Sequence, residues 1–197
     1  SSTINNAFVC KEEMQEKYQD AEICVFDSIC ASGGHGLLIY HAIENKKKGM
    51  SVTENMQALE ELKHRIVHKF TVDDLTYLQR GGRISKTAAV IGGMIQLKPV
   101  LHVDTEGRLA AESKVRGRKK ALNQLLAEMD ICTGSYADKQ DVVLICHADC
   151  PEDAEYVRAK VEEKYHPNKI IMSEVGPIVG AHVGPGTMVL IFEGDKR

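Results

Sequence analysis

Residues 70–83 read FTVDDLTYLQRGGR, and four short pieces follow one another in them. Residues 70–72 read as a strand, Asp73 and Asp74 form an acidic pair, and Leu75 and Leu78 share one face of a helical turn. Arg80-Gly81-Gly82-Arg83 then makes a basic glycine turn. Glycine enters positive φ without a Cβ clash, so this turn can hold two guanidinium groups beside exposed backbone N–H groups. That combination suits a carboxylate or a phosphate. From the residues alone, a surface helix end with its arginines in solvent is the preferred reading, since charged turn residues are usually solvated.

Downstream, residues 85–96 form an apolar, glycine-containing stretch expected to be helical and stopped by Lys98-Pro99. Strands are expected at 100–103 and 108–115, joined as a hairpin by the turn at 104–107. Five cations between Lys114 and Lys120 lead into a helix over 121–132, with Leu122, Leu125, Leu126 and Met129 facing inward. A buried strand at 141–147, a helix at 151–165 opened by Pro151, and a strand at 169–175 follow. Residues 176–186 are a glycine-rich loop or short helix bearing His182, and 187–192 a last apolar strand.

Upstream, the helix at 51–67 is expected to be capped by Thr53 and to bury Met56, Leu59, Leu62, Ile66 and Val67. EICVF at 22–26 is continuously apolar, as in a parallel strand covered on both faces. It ends at Asp27-Ser28, and Ser32-Gly33-Gly34-His35-Gly36 leads into a helix over about 37–45. That turn lacks the G-x-G-x-x-G spacing of a dinucleotide site, and either ligand contact or close helix packing explains its glycines. A first helix through Tyr18 is expected to turn Ala7, Val9, Cys10 and Met14 inward. The chain alternates strand and helix up to about Lys69 and is richer in strands after it.

With 197 residues, 43% hydrophobic and 27% charged, the chain can bury a core of one or two domains. Its net charge of −3 argues against nucleic acid as the main partner. Six cysteines make no C-x-x-C pair, so no metal site is expected, and they read as reduced thiols of a cytoplasmic protein. No apolar run reaches the ~18 residues of a membrane span.

FTVDDLTYLQRGGRIS, followed by IGGMIQLKPVLHVDTEG and KVRGRKKAL, resembles the run that marks the DegV family of bacterial fatty-acid-binding proteins. The family's FDS…S.G.G pattern is matched by Phe26-Asp27-Ser28, Ser32, Gly34 and Gly36. Its G..IG.H.G.G pattern is matched by Gly176, Ile178-Val179-Gly180, His182, Gly184 and Gly186. SSTINNAF resembles the family's LSGTY.SA loop, with Ser1 on the motif serine and Ser2 where glycine is usual. The family's preceding DST and TSQP motifs have no counterpart, so the chain reads as a fragment. The resemblance implies a two-domain α/β fold. Residues 1–68 would be the remainder of a parallel-sheet domain, and 69–197 a second domain with a mixed, largely antiparallel sheet.

It also implies a function: a long-chain fatty acid in a tunnel, its carboxylate at the mouth, presented to a separate ATP-dependent kinase subunit that makes acyl phosphate. By resemblance Ser1, Arg80 (or Arg83) and His182 bind the carboxylate, with the Ser28 and Ser32 loop able to converge on them. Ile91, Met94, Ile95 and Ile178 are expected to line the tunnel, and Arg116, Arg118, Lys119 and Lys120 to dock the kinase. No cofactor, metal or catalytic residue is implied. The alternative is a phosphotransferase using His182 as a phospho-carrier; the chain has no Walker motif or metal-carboxylate cluster for self-contained catalysis. DNA binding through KVRGRKK fits poorly, since no helix-turn-helix signature accompanies it.

Overall fold

The computed structural model describes residues 2–85 and 97–197. The described residues form an α/β fold with one six-stranded mixed sheet. Its strands are β1 (Ile66–Thr71), β2 (Leu97–Val103), β3 (Leu109–Arg116), β4 (Val142–His147), β5 (Lys169–Glu174) and β6 (Met188–Glu193). The helices are α1 (Ser2–Lys17), α2 (Gly33–Lys47), α3 (Val52–Leu62), α4 (Leu75–Arg80), α5 (Arg118–Thr133), α6 (Pro151–Tyr165) and α7 (Pro177–Val183). Strand order is β3-β2-β1-β6-β4-β5. Only β4 and β5 run parallel among the described pairs, with α6 as their crossover; the rest are antiparallel.

β1 is buried along its whole length, so its alternate residues serve two cores. Val67 joins Leu190, Phe192, Val143 and Ile145 under α5 and α6. On the opposite face Ile66 packs with Leu37, Leu38, Leu59 and Leu62 of α2 and α3, and Phe70 with Leu75, Leu78, Leu101 and Val183. The polar residues of β1 are partnered: Lys69 Nζ lies 2.8 Å from both carboxylate oxygens of Glu112. Thr71 Oγ1 donates to Pro99 O at 2.7 Å.

The expected hairpin forms between β2 and β3, where Asp104 Oδ1 accepts from the Glu106 and Arg108 N–H groups and Gly107 takes φ +78°. The expected helix over 51–67 is shorter. Ser51, not Thr53, is its cap, in a capping box with Glu54, and it ends at Leu62, so Ile66 and Val67 belong to β1. β1 also runs through the expected boundary at residue 68.

The EICVF stretch forms no strand. It lies against α2 and α3 instead, with Glu22 Oε1 accepting the Thr53 hydroxyl at 2.9 Å and Phe26 packed on the core those helices share. α1 forms, but Val9, Cys10 and Met14 lie outward, and Ile4, Ala7, Lys11 and Gln15 are its half-covered positions. Ser1, Ile91, Met94, Ile95 and nearly all of the expected 85–96 helix lie outside the described residues. Among the described residues no helix is long and apolar enough to cross a membrane.

Candidate functional site

β1 delivers the chain to Asp74, whose carboxylate accepts the Thr76 N–H at 2.8 Å and caps α4. Hydrogen bonds from Thr76 hold that carboxyl below the usual aspartate range. α4 buries Leu75 and Leu78 and closes with Arg83 N–H on Leu78 O at 2.8 Å and Gly82 N–H on Gln79 O at 3.0 Å. Gly82 takes φ +70° in this closure, which is why a glycine stands there.

Gly81 is a glycine for a different reason. Its φ of −73° suits any residue, but a Cβ there would collide with the His182 ring. His182 reaches this position from α7, and α4 and α7 interlock twice more. The Tyr77 ring occupies the place of a Cβ on Gly184, and the Asp73 carboxylate that of a Cβ on Gly186. Both glycines have positive φ, +76° and +74°.

The structure thus lays His182 on Gly81, the residue that follows Arg80 in the RGGR turn. Arg83 Nη1 folds back on Gly81 O at 2.7 Å. Arg80 is exposed at the end of α4 and makes no ion pair or side-chain hydrogen bond among the described residues. The turn's N–H groups are not the free donors expected, since Gly81, Gly82 and Arg83 give theirs to Tyr77 O, Gln79 O and Leu78 O in closing α4; the Arg80 and His182 side chains are the groups here that can meet a carboxylate.

Ser28 and Ser32 form a second group. Ser28 is buried, its Oγ accepting the Cys30 N–H at 3.3 Å. Ser32 precedes α2 at φ 48°, ψ −126°, without a side-chain cap bond. Beneath them His68 Nε2 accepts the Ala31 N–H at 3.5 Å, and a Cβ on Gly34 would collide with that ring. Burial, then the Arg197 charge, pushes the His68 pKa down to about 3, so the ring is a neutral acceptor. His68 and Phe70 point to the same face of β1, His68 under the Ser28 and Ser32 loop and Phe70 in the core with Leu75 and Leu78 of α4.

Ile178 lies on the outer side of α7, 80% exposed. In the basic segment, Arg118 is turned inward: its Nε lies 2.6 Å from Asp153 Oδ2 and its Nη1 3.4 Å from Asp73 Oδ1. Lys119 lies over the Tyr156 ring, 4.0 Å from its centroid. Arg116, Lys119 and Lys120 are exposed. Sequence reasoning gave no role to His68 or Tyr77, and read Asp73 only as one of an acidic pair and Lys98 as part of a helix stop; the glycines at 34, 184 and 186 were the signal for His68, Tyr77 and Asp73, since each marks a side chain that comes too close for a Cβ, while nothing local marks Lys98.

The family model described as "Uncharacterised protein, DegV family" matches residues 1–195. A DegV domain-containing protein of Clostridium perfringens is 41% identical over 197 residues, covering 100% of this chain and 67% of the relative. Among solved structures, DegV of Bacillus subtilis, a fatty acid binding protein, superimposes with a TM-score of 0.82 at 29% identity, over 99% of this chain and 67% of that one. The Fatty Acid Kinase (Fak) B3 protein of Streptococcus pneumoniae, loaded with linoleic acid, shares the fold with a TM-score of 0.88 at 20% identity, over 99% and 68% of the two chains. With its pattern matched from residue 1 to residue 195, the chain belongs to the DegV family.

Proposed function

We propose that this chain binds a long-chain fatty acid and presents the carboxylate to a separate ATP-dependent kinase subunit, which forms the acyl phosphate. The observation that carries the reading is the His182 ring laid on Gly81, which joins two sequence-distant pieces into one group of anion donors. Arg80 supplies the cation and His182 a hydrogen bond, with Ser1 as the further hydroxyl donor. Such donors offset the cost of taking a carboxylate out of water. Burying the acyl chain contributes about 0.8 kcal/mol per methylene. The B. subtilis relative's description as a fatty acid binding protein supports the ligand class, and the likeness to the Fak B3 protein supports the kinase step.

Titrating the delipidated protein with oleate by calorimetry tests the reading. Saturable one-to-one binding is expected, and Arg80→Gln should weaken it by about tenfold or more, since a hydrogen bond to a charged group contributes about 1.5–3 kcal/mol. No heat from any long-chain acid, or full affinity in Arg80→Gln, would overturn it.

A further inference from the structure

Behind the RGGR turn one carboxylate is held by two cations from distant parts of the chain. Lys98 Nζ lies 2.7 Å and Arg118 Nη1 3.4 Å from Asp73 Oδ1. Both cations are largely covered, with 21% and 23% of their side chains exposed, while the Asp73 side chain between them is 47% exposed. Arg118 is itself fixed by Asp153 at 2.6 Å, and its Nη2 lies 3.5 Å from Cys150 Sγ, whose thiol donates to Thr187 O at 3.3 Å. The other oxygen of Asp73 reaches the place a Cβ would take on Gly186, 2.5 Å from it.

Asp73 immediately precedes the cap of α4, and Gly186 ends the loop that follows His182. We infer that Asp73, clamped by Lys98 and Arg118, is a positioning residue that fixes the RGGR turn against the His182 helix. The inference deepens the fatty-acid reading and rests on it for its ligand; the geometry it concerns does not need the ligand. A negative charge between two partly desolvated cations has one preferred place, whereas a neutral side chain there lets the Gly184-Pro185-Gly186 loop slide along α4. The sliding separates His182 from Gly81 and from Arg80, so that one carboxylate no longer meets both donors. Arg118 therefore belongs to the support of the ligand site, and the exposed Lys119 and Lys120 beside it do not.

The test uses Asp73→Asn in the full 197-residue chain. Without ligand, nuclear Overhauser contacts between the His182 ring and the Gly81 amide should weaken and the His182 ring signals shift, at a temperature where both proteins are folded. With oleate, affinity should fall about tenfold. Arg118→Lys, which keeps the charge, should retain most of both signals, and Arg118→Gln should lose them. Should Asp73→Asn fail to fold, Arg118→Gln and Lys98→Gln are read in the same way. Unchanged His182 contacts in the folded neutral variants overturn the inference, as does unchanged oleate affinity. If the unaltered protein binds no fatty acid at all, the functional reading fails alone, because the His182 contacts still decide whether Asp73 positions the loop.

Discussion

His68 is a titratable ring in the middle of a strand covered on both faces, and its environment makes it an acid sensor of the fold. In the unfolded chain it takes up a proton below about pH 6.5. In the fold burial delays that until about pH 3. Between these values the unfolded state binds the extra proton, so this contribution to stability is complete above about 6.5 and is lost as pH falls toward 3. His68→Gln keeps an acceptor for the Ala31 N–H and cannot titrate in this range. Thermal unfolding followed from about pH 4 to 8 should show a shallower acid slope in His68→Gln than in the parent, and superimposable slopes would remove His68 from the account.

At the scale of elements, β1, β3 and α5 meet at Lys69, whose side chain is 2% exposed and lies 2.8 Å from Glu112 and 3.9 Å from Glu128. Lys69→Met leaves two carboxylates near each other without their cation and should cost about 3–5 kcal/mol in denaturant unfolding. Adding Glu112→Leu should recover much of the loss; a single variant as stable as the parent would show that the pair contributes little. The same lysine explains why β1 is hard to read from residues alone. IVHKFT has strand residues but places a histidine and a lysine in its middle, and their partners, Ala31 and Glu112, lie far away in sequence. Ile66 and Val67 therefore read as the tail of the preceding helical stripe. The cap of that helix, expected at Thr53, is misplaced by two residues although the signal is local: Glu54 stands three residues after Ser51 and completes a box that Thr53 lacks. EICVF shows the opposite limit: apolarity announces a strand, but a strand also needs a neighbour to bond with, and residue type does not name one. The RGGR turn and the β2–β3 hairpin are legible because their glycines and Asp104 act within a few residues. The grouping of His182 with that turn came from family resemblance, and its local cause, a bare Cα at Gly81, is seen only when α7 arrives.

Across the whole molecule, the basic segment before α5 divides its labour. Arg118 is committed to Asp73 and Asp153, while Lys119 and Lys120 stay on the surface. Under the kinase reading, Lys119→Glu with Lys120→Glu should lower kinase-dependent acyl phosphate formation severalfold at low salt, with the effect shrinking as salt screens it. Fatty acid affinity should stay as in the parent, and an unchanged rate would move the docking surface elsewhere. The strand order carries a kinetic consequence. Among the described residues β6 alone connects the β1–β2–β3 ladder to the β4–β5 pair, and Ile66 pairs with Glu193. Until residues 188–193 insert, the molecule is two half-sheets with unsatisfied edges at β1 and β4. Closing so long a loop is slow, so the nascent chain passes through an interval in which those edges can pair with other chains, and the last of the six strands to be synthesised is the one that ends it.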